Sequence, residues 1–394
     1  MTIKKLPIND ILVQAGRPPK TEGRHVNMPI ELGSTIVFDT IEAFEAARDE
    51  RYQSGTLYYG RYGNEASFQL ENMLAELEEA EGVTLTSSGV AAISMTLSAL
   101  LNPDDHLLVA DHVYGNTRNF CDTVLAAQGI EIEYYDPMLG AEIQSLFRTN
   151  TKAIMFEAPG SGTFEYPDIE SITRTARAKN ITTVLDGTWS AACISQPLTL
   201  GVDVVLYSVS KYICGHSDAM MGAIACRDAK IHEAVRKTIF AYGDKPGSQE
   251  VYLALRGIRT LAMRMAHVDK AGQDIALWLQ EQPQVKRILH PAFEDCPGHA
   301  FWQKCNTGSA GLFGVVFHPC DDKQVNAFIN ALHHFGIGVS WGGYESLVLP
   351  VKPVRTATQW NEAGQLVRFN IGFENTNTLK ADILAALPLL NSKA

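Results

Sequence analysis

No stretch of this 394-residue chain approaches the roughly 20 consecutive apolar residues that a membrane-spanning helix needs. Its opening segment, MTIKKLPINDILVQAGRPPK, has two lysines but no uninterrupted apolar run, so no signal peptide is expected. Basic residues are in deficit. Lys and Arg number 33 against 44 Asp and Glu, a formal net charge of -11. Nucleic acids and anionic membranes both recruit positively charged surfaces, so neither is an expected partner. A small anionic ligand stays open, because a few local donors can hold a phosphate on an acidic protein. C-x-x-C pairs are absent as well. The seven cysteines (Cys121, Cys193, Cys214, Cys226, Cys296, Cys305 and Cys320) are odd in number, so neither a disulfide framework nor a structural zinc site is expected. Reduced thiols in the cytoplasm are the simplest reading. Internal repeats and low-complexity tracts are lacking too.

What is present is a globular composition, with 46% hydrophobic and 20% charged residues. The length suits two or three domains. Residues 1–60 read as an arm, rich in Pro, Gly and short polar runs, with one helical piece around Thr40–Asp49. From residue 61 to 256 the pattern alternates. Ala66–Glu81 has helical periodicity, Val83–Thr86 reads as a strand, and Val90–Leu101 as an apolar helix stopped at Asn102-Pro103. Strand His106–Ala110, a helix around Asn116–Gln128 and strand Ile130–Tyr134 follow, then strands Ala153–Glu157, Thr182–Leu185 and Val202–Ser208. Continuous apolar strands alternating with helices predict an α/β domain whose mostly parallel sheet is covered on both faces. A helical region over Asp228–Gln282 leads into a smaller C-terminal α+β domain, 257–394, with strands expected at Gly311–His318, Gly338–Trp341 and Leu366–Ile371.

Ligands of open α/β sheets bind beyond the carboxyl ends of the strands, so the residues following each strand carry the functional information. After Val202–Tyr207 comes Ser208-Val209-Ser210-Lys211, which reads either as a surface lysine on a loop or as a Schiff-base lysine flanked by phosphate-binding hydroxyls. After Thr182–Leu185 comes Asp186-Gly187-Thr188-Trp189. The aspartate reads as a cap for the next segment or as the partner of a pyridine nitrogen. After Val83–Thr86 comes Ser87-Ser88-Gly89-Val90, an ordinary N-cap or an anion site at a helix start. After His106–Ala110 comes Tyr114, placed either to pack or to lie against an aromatic ring. Taken together, consecutive strand ends deliver phosphate donors, an aromatic plate, a ring-nitrogen partner and a lysine. A pyridoxal 5'-phosphate (PLP) ring requires that inventory.

The chain resembles the Cys/Met-metabolism PLP enzymes, the cystathionine lyase and synthase group, and within it the bacterial cystathionine β-lyases. The segments that carry the resemblance are Tyr59-Gly60-Arg61, Glu157-Ala158-Pro159-Gly160-Ser161, Asp186-Gly187-Thr188-Trp189, Ser210-Lys211-Tyr212 with Gly215-His216-Ser217-Asp218, and Ser340-Trp341-Gly342-Gly343-Tyr344-Glu345-Ser346. The resemblance implies a fold-type I, aspartate aminotransferase-like protein. In it Lys211 carries the cofactor and moves the proton. Asp186, with Thr188, holds the pyridine nitrogen, and Tyr114 stacks on the ring. Ser88, Gly89, Val90, Ser208 and Ser210 hold the phosphate. Tyr59 and Arg61 reach the cofactor of a neighbouring subunit, with Tyr59 also near substrate, and the expected assembly is a homotetramer of two catalytic dimers. Arg368, in the apolar run Leu366–Ile371, reads by itself as half of an internal salt bridge or as an anion clamp. The resemblance makes it the clamp for the substrate α-carboxylate, beside Ser340 and Trp341. His216 is given a structural role, and His333-His334 is read as a helix-surface feature rather than a metal site.

The implied reaction is α,β-elimination from L-cystathionine or a related cysteine S-conjugate, giving a thiol, pyruvate and ammonia. Two departures from the β-lyase pattern bear on the pocket: Val339 where tyrosine usually precedes the Ser-Trp pair, and Gly162 where a bulkier residue is common. They keep open a γ-lyase acting on methionine, cystathionine or an oxygen-linked analogue such as canavanine, with Lys211 or Tyr114 assisting a second proton removal. Ser210 stands where threonine is frequent. A non-catalytic member of the fold is the third reading, opposed by the full set of cofactor residues.

Overall fold

The computed structural model describes residues 7–17 and 25–391. The opening six residues, with Lys4 and Lys5, and part of the arm (18–24) lie outside the described residues.

Seven strands form the large sheet: β1 (Gly82–Thr86), β2 (His106–Ala110), β3 (Glu131–Tyr135), β4 (Thr151–Glu157), β5 (Thr182–Asp186), β6 (Val204–Ser208) and β7 (Gly222–Cys226), in the order β1-β7-β6-β5-β4-β2-β3. β2 runs parallel to β3 and β4, β4 to β5, and β5 to β6. Only β7 runs against its neighbours β6 and β1. The central strands are buried nearly throughout, as expected of a sheet covered on both faces. The carboxyl ends of β1, β2, β4, β5 and β6 therefore open on one edge. β7 was not foreseen, because Gly-Ala-Ile-Ala-Cys is too short and small to read as a strand.

The helices follow their sequence signals with local adjustments. Ser88 caps Gly89–Leu100, accepting from Ala91 N at 3.0 Å. The expected helix at 116–128 is helical only over Gly115–Phe120. It continues as a widened turn and a tight turn to Gln128. The long helical region divides into Ala229–Tyr242, Ser248–Ile258 and Leu261–Gln280, with Gly243 at φ 77° ending the first piece.

The C-terminal part builds an antiparallel four-stranded sheet, β10-β11-β9-β8, from β8 (Val285–Leu289), β9 (Leu312–Phe317), β10 (Leu347–Val351) and β11 (Leu366–Asn370). The strand expected at Gly338–Trp341 is not one. Ser340 has φ 102° and Gly342 φ 84°, which no ladder accommodates, and the strand lies further on, at β10. His333 and His334 likewise sit in the turn after helix Asp322–Asn330, not on a helix. Their backbone N–H groups donate to Asp382.

Side chains alternate along β9. Leu312 and Val316 join the core of the large sheet, whereas Phe313, Val315 and Phe317 join a second core with Val367, Phe369, Phe328 and Ile383. β11 repeats the pattern. Val367 and Phe369 enter the second core and Leu366 the first, so Arg368, on the Leu366 side, is turned towards the large sheet.

The arm has a second helical piece, Ile8–Gln14, which buries Ile11 and Leu12 and is held by Arg259, whose Nη1 donates to Leu12 O and Ala15 O. Helix Ile41–Asp49 buries none of its side chains. Around it Leu32 and Val37 are 80% and 89% exposed.

Candidate active site

The carboxyl ends of the strands and the inner face of β11 enclose a cavity of about 650 Å³. It is lined by Ser88, Gly89, Val90, Tyr114, Asp186, Thr188, Ser208, Ser210, Lys211, Ser340, Trp341 and Arg368, which is every expected site residue except Tyr59 and Arg61. Those two lie on the arm side. Arg61 donates to Phe240 O and to Tyr62 Oη.

At one end of the cavity the first turn of Gly89–Leu100 meets β6. A Cβ on Gly89 would lie 2.7 Å from Ser208 Cβ, so only glycine lets the helix N-terminus come this close. Ser88 Oγ takes the N–H of Ala91, but those of Gly89 and Val90 have no partner within the helix, which makes the junction with Ser208 an anion cradle. Ser210 is less free than the sequence implied. Its hydroxyl donates to Met221 O and accepts from Met221 N.

At the other end β5 delivers Asp186. Thr188 donates to Asp186 Oδ1 through its N–H (3.0 Å) and its hydroxyl (2.5 Å), and that hydroxyl accepts from Ser208 N at 2.9 Å. The cradle and the acid are thus tied through one threonine. Burial raises the Asp186 carboxyl, opposed by the Thr188 hydrogen bonds and by the charge of Lys211.

Lys211 stands between the two ends. Its Nζ donates to Ser340 Oγ at 2.5 Å and lies 5.5 Å from the Trp341 ring centroid. Burial, with the Arg368 charge beside it, pulls the amine down to about 8, against the pull of Asp186. Arg368 Nη2 donates to Ser340 O at 2.9 Å. The positive φ of Ser340 is what turns the carbonyl to the arginine and the hydroxyl to the lysine. Burial also lowers the Arg368 guanidinium.

The arrangement fits PLP on this structure's own features. The cradle that a Cβ on Gly89 would fill suits a phosphate. The buried acid that ends β5 is held by the hydrogen bonds of Thr188 and suits a protonated ring nitrogen. Between them lie an amine of lowered basicity and the half-exposed ring of Tyr114. The sequence agrees over almost its whole length, since the model of the Cys/Met metabolism PLP-dependent enzymes matches residues 9–388.

The chain belongs to that family. Its cofactor is accordingly PLP. Among similar members of the Cys/Met metabolism family is a cystathionine beta-lyase of Haemophilus influenzae, 35% identical, with 97% of this chain and 98% of the relative covered. A cystathionine gamma-lyase of Bacillus subtilis is 32% identical over 84% of this chain and 88% of its own. A solved cystathionine gamma synthase from Xanthomonas oryzae pv. oryzae in complex with cystathionine superposes with a TM-score of 0.88 at 28% identity, covering 98% of this chain and 99% of the other.

Two site residues of this family member escaped the sequence reading. Glu157 was noticed only as part of a motif. It ends β4 as Asp186 ends β5, and it accepts from Tyr114 N (2.6 Å) and Ser161 N (2.9 Å). Burial and the neighbouring Asp186 push its carboxyl up to about 8. Its place at a strand end was the available signal. Asp111 has the same signal at the end of β2, but its partners are far along the chain. His216 is outside the cavity lining, and its Nδ1 meets Cys214 O at 2.6 Å, a structural bond.

Proposed function

We propose that this protein is a carbon–sulfur lyase that carries out α,β-elimination on L-cystathionine or a related cysteine S-conjugate. The observation that carries the reading is the placement of two cations on one residue. Lys211 Nζ is 2.5 Å from Ser340 Oγ, and Arg368 Nη2 is 2.9 Å from Ser340 O. A substrate carboxylate bound by Arg368 would bring its Cα–H to Lys211.

When bound, PLP supplies the electron sink for the negative charge left at Cα. Lys211 would hold the cofactor in the resting enzyme, and its free Nζ would take the α-proton of the substrate. With the amine lowered to about 8, a fraction of it is unprotonated near neutral pH and that fraction grows as pH rises. Ser340 Oγ accepts from that amine and aims it. Asp186, tied by Thr188, stabilises a protonated ring nitrogen by its charge. Ser88, Gly89, Val90 and Ser208 face the phosphate, with Ser210 bracing the turn, and Tyr114 flanks the ring. With the α-proton removed, the C–S bond at Cβ breaks, the thiolate departs with the electron pair and takes up a proton, and addition of water to the remaining three-carbon unit gives pyruvate and ammonia.

A β-elimination needs one proton removed from carbon, whereas γ-elimination needs a second removed at Cβ. Lys211, which Ser340 Oγ aims into the cavity, serves as that single base, and the Tyr114 hydroxyl, which accepts from Asn116 Nδ2 at 2.7 Å, is not required for it. The γ-lyase reading is favoured by Val339, 85% exposed at the cavity rim, and by Gly162, which leaves room against Val351. The keto acid released from L-cystathionine decides, with canavanine and methionine run in parallel. Pyruvate with homocysteine supports the β-lyase; 2-oxobutyrate, or homoserine from canavanine, overturns it in favour of γ-chemistry.

The same reading takes 61–256 as the cofactor domain and 257–394 as the C-terminal domain, supported by the two cores. It also takes 1–60 as an arm of a homotetramer made of two catalytic dimers, in which Tyr59 and Arg61 serve the neighbouring subunit's site. Their position away from their own cavity and the exposed apolar side chains of the arm support this. Seven unpaired thiols suit a cytoplasmic location.

A further inference from the structure

The connection between β10 and β11, residues 352–365, has no regular structure, yet its first part forms a wall of the cavity through Lys352, Pro353 and Val354. No ladder holds it there. What holds it are carboxylates of the large sheet. Asp111, 1% exposed just past the end of β2, accepts from three successive backbone N–H groups: Thr356 (2.9 Å), Ala357 (3.0 Å) and Thr358 (2.8 Å). It also accepts from the hydroxyls of Thr356 and Thr358 and from Arg118 Nη2 at 2.6 Å. One residue earlier in the connection, Arg355 Nη2 donates to Glu165 and to Thr163 Oγ1, each at 2.7 Å. The wall is therefore strapped from both sides of the strand edge that presents Tyr114.

The reacting atoms belong near Lys211 and Arg368. The space bounded by Gly162, Val351 and Val354 is then what remains for the leaving group. One side of it is fixed, since Val351 pairs with Leu366 in the ladder and a Cβ on Gly162 would already lie 3.0 Å from Val351 Cγ1; the other side depends on where the strap holds Pro353 and Val354. We propose that Asp111 is a positioning residue that fixes segment 352–358 as the outer wall of the cavity and thereby sets which leaving groups the enzyme accepts. This rests on the elimination proposed above. Asp111 touches neither substrate nor cofactor in this account. It acts through the strap, and its carboxylate is suited to that task because three convergent N–H groups, two hydroxyls and a guanidinium are satisfied only by a full negative charge.

The test compares wild type with Asp111→Asn, and with the milder double variant Thr356→Val/Thr358→Val, which leaves the carboxylate and the backbone in place. Two readouts are needed. One is amide hydrogen exchange over 351–358 in the protein without substrate. The other is KM and kcat for pyruvate release from L-cystathionine and from S-methyl-L-cysteine, a large and a small leaving group. In D111N the exchange of the 356–358 amides should rise by about tenfold or more, since each loses a charged acceptor. The KM for L-cystathionine should rise about tenfold with kcat changed far less, while S-methyl-L-cysteine shifts by less than about threefold. The double variant should move the same way by a smaller factor.

Unchanged exchange together with an unchanged KM ratio between the two substrates overturns the proposal. So does an equal loss on both substrates accompanied by loss of cofactor absorbance, which would mark a general structural role. If D111N does not fold, the KM ratio of the double variant decides alone. Should wild type release no pyruvate from either substrate, the elimination reading fails instead, and the exchange measurement still decides whether Asp111 holds the wall.

Discussion

Glu157 and Asp186 occupy paired positions on adjacent parallel strands, so two carboxyl groups end the large sheet side by side. Glu157 is pushed up to about 8 by burial and by this neighbour, which means that the folded protein holds a proton there that an unfolded chain releases at an ordinary carboxylate value. A group raised in this way contributes stability that is complete at low pH and is lost as pH rises towards about 8. In cofactor-free protein the stability of wild type should therefore fall relative to that of Glu157→Gln between about pH 5 and 8, by at most about 1.4 kcal/mol for each pH unit crossed. Denaturant melts of both proteins across that range check it. Parallel pH profiles would show that Glu157 is ionised in the fold.

The proposed reaction makes turnover depend on Lys211. Lys211→Ala should reduce it by about a thousandfold or more, since in that reading the lysine both carries the cofactor and moves the proton. Retention of a tenth of the activity would remove the lysine from that role. Borohydride treatment of the wild-type holoenzyme should fix the cofactor's mass on the peptide containing Lys211. As a base it works unprotonated, so kcat should climb with pH and level off above about 8.

Arg61 tests the arm. Arg61→Ala and Lys211→Ala subunits should each be inactive or weak alone. After mixing and reassociation, a catalytic dimer of one of each contains one site that takes an intact lysine from one subunit and an intact arginine from the other. Recovery of up to roughly a quarter of wild-type activity is expected from statistical pairing. No recovery, with subunit exchange demonstrated by mass, would place Arg61 in service of its own chain.

Much of this site was legible because apolar strands announce where they stop. Asp186 and Lys211 stand just past runs such as Val-Val-Leu-Tyr, and the parallel-sheet rule says which end matters. The same logic reaches Glu157, which ends the apolar run Ala153–Glu157 and stands beside Asp186. Asp111 was beyond reach, since its strap partners follow 245 residues later and no spacing rule links the two. The run at 338–341 misled because Gly-Val-Ser-Trp has strand composition, whereas Ser340 has φ 102° and bonds to both Lys211 and Arg368. Residues held in uncommon backbone geometry at functional sites are where local propensity fails.

In the proposed reaction Arg368 acts on substrate and on base at once. As the proposed clamp for the α-carboxylate it makes a clear prediction: Arg368→Ala should raise KM sharply and lower kcat/KM by about two to three orders of magnitude, the loss expected when one member of a charged pair is removed. Arg368 is also a cause of the lowered Lys211 amine. Removing the positive charge should let that amine return towards its ordinary value, and the rise of kcat with pH should move to higher pH. Arg368→Lys separates the two effects. It keeps the charge, so the pH limb should stay near its wild-type position. It loses the planar fork, so KM should still rise. A pH limb that fails to move in Arg368→Ala would mean that burial alone sets the lysine, and that the arginine serves the substrate and nothing else.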